Sequence, residues 1–398
     1  MKLSQNSKTI CFFIERFFPN PTGATISAMR LAKELRRREY SVFWVTSHDS
    51  KTKSINKYDD FKVFQFPFSG SGKVKKFKAV LRMLLFLIRN RHKFDIFHVH
   101  GAHYLLLFIA WFVRRIIGKP TLMKITLDGW DTPDGILQNK YPKLGLSFYN
   151  SLSAVVSMTS GQKVKCEQAN IKGFLQVIPN GYESEIYQPF DQPRKLHVKH
   201  KLNLSPTQKH LIYVGWLGQR KGSDILFKAW KNIAREYPNV NLLCVGNYHG
   251  GFEGFKNFIE QENINFTPEE LKRIIVTDFV DNVQDYLKCA DIFVFPSRQE
   301  GFGTVQVEAM ACGLACVVLN LPGVTNDIYT NNQNGIILQN KNPSEMENAI
   351  LELLRNDKKR ELLANQAVET ALKNFEIRSV ADKYCALYNQ LSSQQEIY

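Results

Sequence analysis

Short runs of β-branched and aromatic residues alternate along this chain with longer amphipathic stretches. The first half reads ICFFI (10–14), a helical period over 24–38, YSVFWVTS (40–47), FDIFHVH (94–100), TLMKITL (121–127), AVVSM (154–158) and LQVIPNG (175–181). Such alternation describes βαβ units, hence a parallel sheet covered by helices on both faces. It then stops: residues 187–208 are rich in proline and polar side chains and carry no strand pattern, which predicts a linker, assigned to 191–208. The alternation resumes with HLIYVGWLG (210–218), a helix over about 222–236, NLLCVGN (241–247), RIIVTDFV (273–280), DIFVFPS (291–297), a helix over about 304–312 and ACVVLN (315–320). The predicted fold is α/β, with two doubly wound Rossmann-like domains in tandem.

Size and composition agree with that reading. The 398 residues exceed one ordinary core and suit two domains, and 44% hydrophobic with 22% charged residues excludes a disordered, collagen-like or coiled-coil chain. Charge changes the picture more. Residues 1–190 hold 29 Lys/Arg against 13 Asp/Glu, whereas 191–398 hold 23 against 24, and across 61–127 thirteen basic side chains face one acid, Asp95. A field so concentrated implies an anionic partner for the first half: phospholipid, a phosphate-bearing substrate or nucleic acid. Seven scattered cysteines without a Cys-x-x-Cys support neither a disulfide framework nor a structural zinc and read as reduced cytosolic thiols. No signal-peptide pattern opens the chain, and the longest apolar run, Tyr104 to Val113, is half of what a spanning helix needs, so no integral membrane segment is expected.

Ligands of open parallel sheets bind beyond the carboxyl ends of the strands, and two such sheets predict a site in the cleft between them. The most informative stretch is 291–318, a strand ending near Pro296, a glycine-rich loop at 300–303 and a helix opening near Thr304. Backbone N–H groups at a helix start favour phosphate, and Gly301 and Gly303 let the backbone come close to it. Gln306 stands where the dinucleotide fingerprint needs a third glycine, and no Walker lysine follows, so nicotinamide and P-loop readings are weak. Glu300 and Glu308 bracket this turn, and a sugar nucleotide has hydroxyls at both ends to meet them.

Glu300-x7-Glu308 within PSRQEGFGTVQVEAMACGLACVV resembles the signature of the retaining glycosyltransferases of family 4, which have the two-domain GT-B fold. The resemblance extends over PNPTGATISAMRLAKEL (19–35), FDIFHVHGAH (94–103), VIPNGYESEIYQP (177–189), YVGWLGQRKG (213–222) and DFVDNVQDYLKCADIFVFPS (278–297). It implies that Glu300 contacts the donor sugar, that Glu308 hydrogen-bonds the ribose, and that amides around Gly301, Phe302, Gly303, Thr304 and Val305 cradle the donor phosphates. Lys221, in the loop after the strand YVGWL, matches the lysine that neutralises the diphosphate leaving group, with Arg220 beside it and Gly215 of the same loop expected to bind the donor. Gly23 matches a glycine whose smallness admits the phosphate. Two departures stand out: Trp216 where the family usually has arginine, and Asp128 where many members have a catalytic histidine. Asp128 is expected to orient a sugar hydroxyl or serve the acceptor.

Three histidines, His98, His100 and His103, close a probable strand, and either metal ligation, cleft lining or a structural role suits them. His100 and His103 are assigned to the acceptor. Asp128, Asp131 and Asp134 do not have EF-hand spacing and read as a polar acceptor loop, with Asp131 a binding residue. The segment 73–93 places eight Lys/Arg around an apolar centre without an acid. A helix lying on an anionic bilayer fits it, through Lys73, Lys75, Lys76, Lys78, Arg82 and Arg89, as does a core helix with solvated ends. The run Tyr104–Lys119 adds to the first alternative. No helix-turn-helix, RNP or zinc-finger pattern accompanies the charge, so no nucleic-acid partner is expected.

The reading is thus a cytoplasmic GT-B enzyme, peripheral at the inner membrane face, that moves a hexose with retention from a UDP- or GDP-linked sugar to a lipid-linked or oligosaccharide acceptor in cell-surface polysaccharide synthesis. No cofactor or metal beyond that co-substrate is expected. The division is 1–190 for the acceptor domain, 191–208 for the linker, 209–375 for the nucleotide-sugar domain, and 376–398 for a helix crossing back to the first domain. The rivals are a nucleotide-sugar epimerase and a catalytically inactive glycan- or nucleotide-binding protein.

Overall fold

The computed structural model describes residues 8–49, 55–69, 72–246 and 251–393. The chain divides into two units, Met1–Gly181 with Ile377–Tyr398, and Tyr182–Glu376. The first is built on strands β1 (Thr9–Ile14), β2 (Ser41–Asp49), β3 (Lys57–Tyr58), β4 (Phe61–Ser69), β5 (Ile96–His100), β6 (Thr121–Lys124), β7 (Ala154–Ser157) and β8 (Phe174–Val177). Their order is β3-β4-β2-β1-β5-β6-β7-β8, parallel throughout except where β3 meets β4. Side chains alternate across a strand, and over the middle of this sheet both faces are covered, which is why a strand such as β1 reads as a nearly unbroken apolar run. Cys11 and Phe13 pack with Met83 and Leu87 of the helix Lys73–Arg89 and with Leu106 and Leu107 of the helix Tyr104–Phe112. Ile10 and Phe12 pack with Leu31 and Leu35 of the helix Gly23–Arg37, and with Tyr384 and Tyr388 of the helix Ile377–Ser393. That last helix comes from the far end of the chain, and Arg38 ties it down by donating to Asp382 and to the Arg378 carbonyl.

The second unit holds β9 (Lys209–Val214), β10 (Val240–Val245), β11 (Ile274–Val276), β12 (Ile292–Phe295), β13 (Ala315–Leu319) and β14 (Ile336–Leu338). All are parallel, in the order β11-β10-β9-β12-β13-β14. The winding reverses between β9 and β12, the place where doubly wound sheets open a crevice for ligands.

One expectation needs correction. Residues 191–208 are not a linker: Gln192–Lys201 is a helix of the second unit, and Asp191 caps it by accepting from the Arg194 N–H at 2.9 Å. Pro193 occupies its first turn, where a fixed φ starts a helix rather than breaking one. Lys195 then holds the helix down through the Ala290 carbonyl (2.9 Å) and Asp291 (2.8 Å). In the run Tyr104–Lys119, Leu106, Leu107, Ile109, Ala110 and Val113 are core residues, while Leu105, Phe108, Trp111 and Phe112 are half-buried and Ile116 is exposed. Among the described residues, no helix is long and apolar enough to cross a membrane.

Candidate functional site

In the second unit the loops that leave β9 and β12 side by side carry the residues singled out above. The first runs from Gly215 to Gly222, through a short 3-10 turn at Gln219–Lys221. The second runs from Pro296 to Gly303 and opens the helix Thr304–Ala311, whose N-terminus no side chain caps. Lys221 Nζ donates to Glu300 Oε1 at 2.5 Å, and Ser297 Oγ donates to the same oxygen at 2.7 Å. A cation and a carboxylate distant in sequence thus meet at the switch point, both mostly shielded from water. Phe302 and Glu308 are buried, while Gly303, Thr304 and Val305 are half-exposed at the helix start.

Residues that carried no sequence signal hold the two loops together. Arg298 forms a fork on the Asp224 carboxylate (2.5 and 2.6 Å) and donates to the Gln219 carbonyl. Its own N–H reaches the Arg220 carbonyl at 2.8 Å, and Arg220 returns a bond to the Gln299 carbonyl at 3.2 Å. Gly222 sits at the closest approach, with φ +70 and no room for a side chain: a Cβ there would lie 1.9 Å from the Pro296 carbonyl oxygen. Gly222→Ala is therefore expected to drive the loops apart, lowering stability by about 2 kcal/mol or more and weakening nucleotide binding. Thermal melts and calorimetric titration with UDP and GDP check it; an unchanged melt and affinity would refute the tight contact. Near the entry, Tyr213 donates to the Trp216 carbonyl at 2.5 Å, and the Trp216 indole is largely exposed.

In the first unit the winding reverses between β1 and β5. There His103 Nε2 and Glu15 Oε2 lie 2.6 Å apart, and the bond to His103 holds the Glu15 carboxyl below the usual carboxylate range against the opposing effect of burial. Glu15, which the sequence reading passed over, is the partner that fixes the expected acceptor residue. Gly23 opens the helix Gly23–Arg37 behind the capping box of Thr22 and Thr25, and a Cβ on it would meet nothing within 4 Å. Packing in this structure therefore gives no reason for a glycine at that position.

Of the other expected acceptor-side residues, Asp131 and His100 are turned to internal partners, while Asp128 stays partly exposed. Asp131 is buried and its carboxylate is consumed internally, accepting from the N–H groups of Ala102 (2.9 Å), Thr126 (2.8 Å) and Leu127 (3.0 Å) and from the Thr126 hydroxyl (2.5 Å). It staples the loops after β5 and β6 rather than offering itself to an acceptor. Asp128 receives Lys165 Nζ on both oxygens at 2.8 Å, and Asp134 lies 3.1 Å from the same amine. Those bonds hold the Lys165 amine above its ordinary value despite burial. His100 is buried and stacked on His98 with ring centroids 4.2 Å apart, so it does not line an open surface.

Beside those rings lies a polar knot of Lys124, Ser27, Asn180 and Tyr388. His98 Nδ1 is 2.8 Å from the Tyr388 hydroxyl, and Lys124 Nζ and Ser27 Oγ both donate to Asn180 Oδ1, at 2.6 and 2.7 Å. Burial pushes the Lys124 amine down to about 7, and burial, followed by neighbouring positive charge, pushes both imidazoles well below their ordinary value.

Two family models divide the chain. One described as "Glycosyltransferase Family 4" matches residues 21–185, and one described as "Glycosyl transferases group 1" matches residues 195–370. N-acetyl-alpha-D-glucosaminyl L-malate synthase of Bacillus anthracis is 21% identical over 395 residues, covering 93% of this chain and 94% of that protein. The gpi3 subunit of phosphatidylinositol N-acetylglucosaminyltransferase from Schizosaccharomyces pombe is 26% identical over 315 residues, covering 77% of this chain and 65% of that one. Among solved structures, Anabaena HepE in complex with UDP and glucose superposes with a TM-score of 0.77 at 18% identity, over 96% of this chain and 100% of that one. At that identity the likeness speaks for the fold.

Proposed function

This chain belongs to glycosyltransferase family 4 and has the GT-B fold, and from that premise we propose that its donors are nucleotide sugars and that it moves a hexose with retention from a UDP- or GDP-linked sugar to a lipid-linked glycan. The observation that carries the donor half is the meeting of Lys221 with Glu300 beside an uncapped helix start. An incoming diphosphate offers Lys221 a stronger partner than one carboxylate does. Drawing the amine toward the phosphates leaves Glu300, still held by Ser297, to accept from a hydroxyl of the donor sugar. Helix-start amides and a fixed cation then stabilise the negative charge that grows on the leaving group, commonly the largest single catalytic contribution. Arg220 stands in for the cation lost at Trp216, since Arg298 is committed to Asp224.

The test is turnover of purified protein with a panel of UDP- and GDP-hexoses and alkyl glycoside acceptors, with the product anomer read by proton NMR. Retained configuration supports the proposal. Inversion, epimerisation of the donor, or nucleotide binding without turnover each refute it.

An anionic membrane is the second half of the proposal. Lys73, Lys75, Lys76, Lys78, Arg82 and Arg89 are all exposed on their helix. Between them Val74, Phe77, Leu81 and Leu85 recur at three- and four-residue spacing, exposed from 41 to 69%, while Met83, Leu84 and Leu87 face the core. An apolar stripe flanked by lysines is what a helix embedded at a lipid headgroup boundary presents. Co-sedimentation with vesicles is expected to rise with anionic lipid and fall with salt. Each lysine contributes about 1 kcal/mol, so replacing Lys73, Lys75, Lys76 and Lys78 by Gln is expected to release the protein while transfer to a short soluble acceptor continues. Retention of that variant on anionic vesicles would remove the membrane from the proposal.

A further inference from the structure

The loop after β6 contains a side chain that the donor chemistry leaves unused. Trp130 is 71% exposed, the most exposed large apolar residue among those described, yet the backbone that carries it is tightly held. Gly129 has φ +75 and donates its N–H to the Thr132 hydroxyl at 2.9 Å, and the Asp131 N–H returns to the Leu127 carbonyl at 3.0 Å. The Asp131 carboxylate binds the strand exit on one side and Ala102, next to His103, on the other. Gly135 closes the loop from below: a Cβ on it would lie 2.3 Å from the Gly129 carbonyl oxygen. Tyr149 finally donates to the Asp131 carbonyl at 3.2 Å. An indole offered to water from a loop fastened at so many points costs hydrophobic free energy without returning any to the fold.

Its neighbours indicate what it meets. Asp128 and Asp134, both partly exposed, share Lys165, giving two carboxylates and one ammonium around the base of the loop. An aromatic face beside hydrogen-bonding groups of both kinds matches a pyranose ring, which has one C–H-rich face and a rim of hydroxyls. The loop leaves the carboxyl edge of the sheet, beside the Glu15–His103 pair. We propose that Trp130 is the stacking platform of a subsite for a pyranose ring of the acceptor, with Asp128 and Lys165 at its hydroxyls. This rests on the transfer reaction above and adds where a sugar ring of that acceptor is held and by which side chains.

Saturation-transfer NMR on the full chain, with methyl and octyl glucosides, galactosides and mannosides as probes, tests it without requiring turnover. Wild type is expected to transfer saturation to ring protons of at least one glycoside. Trp130→Ala is expected to weaken that binding about tenfold or more, Trp130→Phe to restore much of it, and the UDP signal to stay the same in all three. Because the indole packs little against the fold, circular dichroism melts should coincide. Glycoside binding unchanged by Trp130→Ala, or no glycoside bound by a wild type that binds UDP, would overturn the subsite. Failure of the transfer reaction shows separately, as absence of turnover with every donor.

Discussion

Glu300→Gln is expected to lower turnover about 100-fold or more while donor affinity changes little. The substitution keeps the shape of the side chain and its bond from Ser297 Oγ but removes the charge that now pairs with Lys221. Losing one preorganised group at a reacting centre commonly costs a factor of about 100 to 1000. Glu308→Ala is expected to behave in the opposite way, raising the Michaelis constant for the donor with a smaller effect on turnover, because its proposed partner is the ribose rather than the reacting sugar. Lys221→Ala should impair both constants: the diphosphate loses its cation in ground and transition state alike, and the buried Glu300 carboxylate loses its counter-charge. Steady-state kinetics on the three purified variants separate these patterns. Unchanged turnover in the Glu300 variant would overturn its assigned role.

Lys124→Met is expected to raise the melting temperature and to flatten its dependence on pH. The amine titrates near its ordinary 10.5 when unfolded and at about 7 when folded, because burial disfavours its charged form. Between those values the unfolded chain binds more protons, so stability climbs with pH across that window, by an amount on the order of 5 kcal/mol in all. Below about 7 the penalty is present in full. His98 and His100 add to it in the acid range, since their folded values lie well below 6.5 and the unfolded chain takes up their protons first as pH falls through 6.5. Methionine fills similar volume without the charge, and Ser27 still donates to Asn180. Melts of wild type and variant from pH 5 to 9 decide the matter: parallel curves would mean that Lys124 is not the buried base that sets the slope.

Much of this architecture was legible before any coordinates. Strands such as Ile10–Ile14 and Ile292–Phe295 announce burial on both faces because they lack the polar alternation of a one-sided sheet, and that pattern implies a parallel, helix-covered layer. The loop from Pro296 to Gly303 was readable for a related reason: glycines where the backbone must turn sharply, followed by a helix opening. Local backbone demands of this kind are written in adjacent residues. The misreading arose where one residue type serves two purposes, as with Pro193, which begins a helix.

What the sequence determined by itself is therefore local: the strand and helix succession, the two doubly wound sheets, the loops at their carboxyl edges, and the excess of positive charge in the first half. The tertiary structure alone decided which charges meet. Lys221 and Glu300 are 79 residues apart, and His98 lies under a tyrosine 290 residues away. Asp128 and Asp131 are near neighbours with the same carboxylate, yet one pairs with an ammonium from a later helix and the other is spent on backbone N–H groups. Periodicity records which face of an element is buried, because burial repeats along the chain. The state of an ionisable group depends on what stands within a few ångströms of it, and chain folding supplies that neighbour from anywhere in the sequence.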